Sequence, residues 1–182
     1  AEGAEIHWAD ETGLRSDDVR GRSYAPVGKT PEIRIRRRRE GLSIISSIPN
    51  RGQVRFKVFA RAMKAPLLID FMRRLVRESQ KEGAPKVFLI LDNLKVHHAR
   101  QVQAWLQDNK EHIEVFYLPS YSPELNPNEL LNANLKAAIT TQAPARRKGQ
   151  LKEAAIGHLR HLQKSPKKVQ QFFGKDSVKY AA

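Results

Sequence analysis

Residues 86–92 read KVFLILD, five consecutive apolar side chains closed by an aspartate. A run this short is a strand rather than a helix, and with no polar residue inside it both faces are expected to be buried. Such strands lie in the middle of parallel sheets that carry helices on their faces. The aspartate, Asp92, then falls at the carboxyl end of a central strand, where open α/β sheets gather their ligands and catalytic groups.

The flanks agree with this placement. Before the run, Leu67, Leu68, Phe71, Met72, Leu75 and Val76 recur at helical spacing between Pro66, suited to a first turn, and Gly83, suited to a stop. After it, a second helix is expected around 97–109 with Val102, Trp105 and Leu106 facing inward, followed by IEVFYLP (113–119) as another buried strand. Upstream, LSIISSIP (42–49) and QVRFKVFA (53–60) are β-like runs separated by NRG (50–52), whose Asn and Gly favour a hairpin and so an antiparallel pair. EIHWAD (5–10) reads as a short strand ending on a second acid. A helix from about 127 to 140, a breaker stretch TQAPARRKG (141–149) and helical C-terminal segments complete the chain. Antiparallel strands followed by βαβ units make an α/β fold with a mixed sheet flanked by helices. Residues 1–140 are expected to form the core, with 141–182 a basic helical segment packed on or extending it.

Bulk composition narrows the partners. The chain has 182 residues and no cysteine, which excludes disulfides and thiolate metal sites. No apolar run approaches the length needed to span a bilayer, and no membrane partner is expected. Lys and Arg number 33 against 19 Asp and Glu, a net charge of +14. Residues 14–39 carry +6 and residues 141–182 carry +8, while the first thirteen residues are acidic. Concentrated positive charge of this size is a footprint for polyanions, nucleic acid first.

The carboxylates of interest are spread along the chain. Asp10 and Asp92 each close a strand, and adjacency of those strands would bring two acids together. Close carboxylates repel unless a cation lies between them, and Mg²⁺ suits such a place because it takes hard oxygen ligands and only one or two carboxylates. A third acid stands in SYSPELNPNELL (120–131). There Asn126 occupies a helix N-cap position, Pro127 the first helical position, and Glu129 follows the cap by three residues, the spacing of a capping box. As a cap, Glu129 would turn back to the Asn126 N–H; as a ligand, it would point across at the strand ends.

ADETGLR (9–15), LILDNLKVHHA (89–99) and LPSYSPELNPNELLNANLK (118–136), in this order and spacing, resemble the DDE transposases of the mariner superfamily, bacterial insertion-sequence branch. GRSYAPVGKTP (21–31) is similar to that branch's loop after the first strand. The resemblance covers nearly the whole chain. It implies an RNase H-like fold, a mixed five-stranded sheet whose first three strands are antiparallel. It also implies that Asp10, Asp92 and Glu129 are the catalytic, metal-holding triad for two Mg²⁺ or Mn²⁺ ions. In such enzymes water cuts the transposon end and the freed 3′-hydroxyl attacks target DNA. The partners implied are transposon-end and target DNA and a second copy of the chain in a homodimer, in a bacterial cytoplasm. The family carries a DNA-recognition module ahead of its catalytic domain, so the expectation is a fragment or one half of a split reading frame.

Around the triad, His97 falls five residues after Asp92, and with Asn93 it is a candidate active-site auxiliary. Glu124 is a rival third acid. Arg34, Arg36, Arg37, Arg38 and Arg39 in the run RIRRRRE, and Arg146, Arg147 and Lys148 in the breaker stretch, are candidates for phosphate contact. Two alternatives stay open on the sequence: another RNase H-like metal-dependent nuclease, and a non-catalytic basic DNA-binding remnant.

Overall fold

The computed structural model describes residues 3–18, 24–32, 39–60, 62–119, 122–141, 145 and 147–182. Five strands form one sheet in the order β3-β2-β1-β4-β5. They are β1 (Glu5–Arg15), β2 (Gly41–Ile48), β3 (Arg55–Phe59), β4 (Val87–Leu91) and β5 (Ile113–Tyr117). β1 pairs antiparallel with β2, and β2 with β3; β4 runs parallel to both β1 and β5. The expected mixed sheet is present, but its central strand is β1; β4, from the KVFLIL run, is an interior strand next to the edge strand β5.

Helices α1 (Ala65–Lys81) and α2 (Arg100–Asp108) cover one face. The apolar stripe of α1, with Leu68, Phe71, Met72 and Leu75, packs against Ala9, Ile45, Leu89 and Leu91 of the sheet. On the other face lie α3 (Asn128–Thr140) and α4 (Gln150–Gln163), followed by the short α5 (Pro166–Gln170). Their Leu131, Leu135, Leu151, Leu159, Leu162 and Val169 join Trp8, Ile44 and Ile48 in a second cluster. The C-terminal helices therefore share a core with the strands. Gly52 shows how closely: its φ of 88° suits only glycine, and a Cβ there would stand 2.4 Å from the Pro166 carbonyl oxygen of α5.

Four expectations need correction. β1 does not end at Asp10; it continues five residues to Arg15, paired with β2 throughout, from Trp8 opposite Ile48 to Arg15 opposite Gly41. Asp10 and Thr12 put polar groups on an inward face where an apolar alternation would otherwise have marked the strand. The helix expected at 97–109 is split: Lys95–His98 form a 3₁₀ turn, Ala99 adopts an extended ψ of 139°, and α2 starts at Arg100. β4 is fully buried on its α1 face only; Phe88 and Ile90 on the other are half-buried. β5 forms a sheet edge, leaving Phe116 exposed rather than in the core.

Candidate active site

Asp10 and Asp92 meet through strand register. The parallel pairing of β1 with β4 runs from Glu5 opposite Val87 to Trp8 opposite Ile90. Each acid is the second residue beyond that last pair. β4 has ended by then, and β1 goes on alone against β2, with Asp10 opposite Ser46. Glu129 arrives from the first turn of α3. All three acids line one cavity of about 340 Å³, with Asn93, Leu94, Leu118, Pro119, Ser122, Pro123 and Asn126. Glu124 sits exposed on the 3₁₀ turn Pro123–Leu125 and does not line it.

The start of α3 decides where Glu129 points. Asn126 has extended dihedrals, φ −100° and ψ 108°, and Pro127 is already helical at φ −60° and ψ −22°. The Asn126 Oδ1 accepts the Asn128 N–H at 3.0 Å, the first half of the expected cap. The second half does not form, because the Asn126 N–H donates to the Pro123 carbonyl at 3.0 Å. Glu129 has no capping duty left and faces the cavity.

Three asparagines of the same stretch fasten α3 to successive residues of β1. Asn128 Nδ2 donates to the carbonyls of Trp8 at 3.2 Å and Ser46 at 2.6 Å, while its Oδ1 accepts the Ser46 hydroxyl at 3.1 Å. Asn126 Nδ2 donates to the Ala9 carbonyl at 3.0 Å. Asn132 Nδ2 donates to Asp10 Oδ2 at 2.7 Å. All three side chains are buried, so each bond forms where water does not compete. This clamp ties the helix bearing Glu129 to the strand bearing Asp10. Sequence reading missed it, since single amides carry no periodic signal; the signal available was the repeat of Asn at 128 and 132, one helical turn apart.

The second acid is held by His97, which is buried. Its Nδ1–H donates to the Asp92 backbone carbonyl at 2.8 Å and lies 3.3 Å from Asp92 Oδ1. The His97 carbonyl in turn accepts the Tyr117 hydroxyl at 3.2 Å, anchoring the turn to β5. Asn93 Oδ1 accepts from His98 Nε2 at 2.5 Å, and the His98 ring lies 4.3 Å from that of Tyr117.

Electrostatically the cavity is short of positive charge. Burial pushes the Asp10 carboxyl up to about 7, with the charges of Glu129 and Asp92 adding to the shift. Burial also raises Asp92, with His97 opposing it. Asp92 Oδ1 is buried without a hydrogen-bond partner among the described residues, since His97 gives its proton to the backbone carbonyl. Crowded carboxylates with an orphaned oxygen fit a hard divalent cation. Among the described residues no three His, Cys, Asp or Glu side chains already converge into a closed ligand cluster; the acids line the cavity wall.

Of the basic candidates, Arg34, Arg36, Arg37, Arg38 and Arg146 lie outside the described residues. Arg39 pairs with Asp17 at 2.9 Å, and Arg147 pairs with Glu153. Arg39 and Lys148 line a second cavity of about 450 Å³ beside the open edge of β3 and the start of α4, together with Lys152. Lys152 and Arg160 also line a neighbouring cleft of about 400 Å³ along the same strand. Lys152 and Arg160, eight residues apart, lie on one face of α4 and form a cationic stripe there, while Lys148 sits in the turn ahead of the helix. The stripe was overlooked in the sequence because the charges are scattered among neutral residues. No helix among the described residues is long and apolar enough to cross a membrane.

Comparison with known proteins adds to this geometry. A family model for a DDE superfamily endonuclease matches residues 5–152. A curated relative, the insertion element IS630 uncharacterized 39 kDa protein of Shigella sonnei, is 34% identical over 83 residues, 46% of this chain and 23% of that protein. Among solved structures, the mariner Mos1 paired end complex with Mg superposes with a TM-score of 0.68 at 19% identity, covering 98% of this chain and 56% of that one. The catalytic domain of Mos1 mariner transposase gives 0.62 at 18% identity, covering 98% of this chain and 83% of that domain. The chain thus spans little more than half the length of the Mos1 chain in the paired end complex. The fold is the RNase H-like one of that catalytic domain.

Proposed function

This chain belongs to the DDE superfamily endonucleases, and from that membership we propose that it is the catalytic core of a DNA transposase. In this reading it cuts phosphodiester bonds at transposon ends and joins the freed 3′-hydroxyl to target DNA. One observation carries the proposal: Asp10, Asp92 and Glu129, from three separate elements, line a single cavity at the carboxyl edge of the parallel strands.

Asp10, Asp92 and Glu129 would hold two Mg²⁺ or Mn²⁺ ions. When bound, such a pair stabilises the attacking and leaving oxygens of an in-line phosphoryl displacement. The protein's own part is placement. β1 and β4 set the two aspartates side by side, α3 brings the glutamate, and His97 keeps the Asp92 segment in place from beneath. Asn93 lines the wall beside Asp92, and its bond to His98 limits its rotation.

DNA would be held by phosphate contacts along the cationic stripe of α4, helped by Arg39 and by the arginines at 34, 36, 37, 38 and 146. Arg147 contributes less, because Glu153 already neutralises it. The active species would be a homodimer acting on DNA in a bacterial cytoplasm.

The test is a joining assay. A labelled duplex with a free 3′-hydroxyl end is incubated with supercoiled plasmid and Mg²⁺ or Mn²⁺. Covalent transfer of label to plasmid by the wild type and not by Asp92→Asn supports the reading. Cleavage of an RNA–DNA hybrid in preference to duplex DNA would replace it with a different nuclease.

A further inference from the structure

Asn132 differs from the other two asparagines of the clamp: its amide nitrogen donates to a carboxylate, where theirs donate to backbone carbonyls. It lies one turn beyond Asn128 on α3, is 1% exposed, and directs its amide nitrogen at Asp10 Oδ2, 2.7 Å away. Its own carbonyl oxygen, Oδ1, is buried and has no hydrogen-bond partner among the described residues. A buried amide with one half unpaired weakens a fold, and apolar Leu131 and Leu135 beside it show that the helix is otherwise built to fill a core. The orientation is set by its neighbour: turned over, the amide would bring its carbonyl oxygen against a carboxylate oxygen. The contact with Asp10 is therefore the reason this side chain lies as it does.

Among the described residues, the other group that holds the Asp10 carboxylate by a hydrogen bond is the backbone N–H of Glu11, on its own strand. Asn132 adds a restraint from α3, the helix that carries Glu129. We infer that Asn132 is a positioning residue: its amide fixes the rotation of the Asp10 carboxylate and couples it to the helix bearing Glu129, so that both acids present oxygens to the same divalent cation. The inference rests on the reading of Asp10 and Glu129 as cation ligands. Outer partners that orient a ligand typically change cation affinity by ten- to a hundredfold when removed.

The experiment titrates Mn²⁺ alone into wild type, Asn132→Leu, Asn132→Ala and Asp10→Asn, following binding by calorimetry and thermal stability without metal on the same samples. The wild type should bind Mn²⁺ and Asp10→Asn should abolish that binding. Asn132→Leu should stay folded yet bind Mn²⁺ about tenfold more weakly or worse, having lost the amide that orients the Asp10 carboxylate. Asn132→Ala supplies the same affinity comparison should leucine prevent folding. A purely structural asparagine would lower the melting temperature and leave the affinity of the folded protein alone. Wild-type affinity in either folded variant overturns the inference while leaving the metal-site reading intact. Wild-type binding that Asp10→Asn does not reduce overturns both.

Discussion

Asp10 and Asp92 stand at the same level of neighbouring parallel strands, each two residues past the last register pair, Trp8 with Ile90. Their proximity follows from backbone pairing rather than from a flexible loop. Glu129 completes the set from a helix whose first turn is tied to β1 by Asn126 and Asn128.

If these three acids do the chemistry, replacing any one should be far more damaging than replacing a nearby acid. Asp92→Asn and Glu129→Gln should each lower DNA cleavage by at least about a hundredfold, since ligands outrank the outer partners whose loss costs that much. Glu124→Gln, on the exposed turn, should cleave within about twofold of wild type. Gel assays of plasmid nicking with folded proteins make the comparison. Loss of activity in Glu124→Gln with retention in Glu129→Gln would transfer the role of third acid.

The raised carboxyl of Asp10 makes stability depend on pH in a defined direction. Its value rises from 3.8 to about 7 on folding, so the folded state keeps a proton that the unfolded state releases. The stabilising effect is full below about pH 3.8 and is lost as pH climbs through about 7. Without divalent cations, Asp10→Asn should therefore gain stability relative to wild type between pH 5 and pH 8, by on the order of 2 kcal/mol. Urea denaturation at the two pH values measures it. A gap between the two proteins that does not change with pH would contradict the assigned environment.

Gly52 tests whether the C-terminal segment is part of the same folding unit. Alanine there must adopt a φ of 88° and press its Cβ on the Pro166 carbonyl at the start of α5. The expected cost is on the order of 2–4 kcal/mol, from backbone strain and a clash that rigid neighbours cannot relieve. A single, earlier denaturation transition should result. An unchanged midpoint would mean that α5 does not pack on the β2–β3 turn.

The cationic stripe of α4, together with Lys148 in the turn ahead of it, makes a prediction about salt. Each phosphate contact contributes about −0.9 to the slope of log affinity against log salt concentration. Replacing Lys148, Lys152 and Arg160 together with alanine should make that slope shallower by about 2 to 3 and weaken binding evenly across DNA sequences. Fluorescence anisotropy over a salt series reads it directly. An unaltered slope would place the DNA elsewhere.

Much of this architecture was legible because burial imposes period. The Leu67–Val76 stripe shows its helical period plainly and KVFLIL its unbroken apolar run, and α1 and β4 form over those residues. The end of β1 was hidden because its inward face turns polar at Asp10 and Thr12, where the site replaces the core. The edge position of β5 could not be read from IEVFYLP, since an apolar run does not say whether a further strand lies beyond it. Asp92 and Glu129 stood out from their places in KVFLILD and SYSPELNPNELL, while Asp10 lay inside a longer strand than EIHWAD suggested and was joined to them by the family resemblance. The asparagine clamp was not, because a hydrogen-bonded amide leaves no trace in composition or spacing until its partner is placed in space.

The central claim, that these carboxylates act with a divalent cation on DNA, is tested most directly by nicking of supercoiled plasmid in Mg²⁺ or Mn²⁺ by wild type and Asp92→Asn side by side. The account predicts nicked product from the wild type, none when the cation is chelated, and none from Asp92→Asn. Equal nicking by both proteins, or nicking that survives chelation, would contradict it.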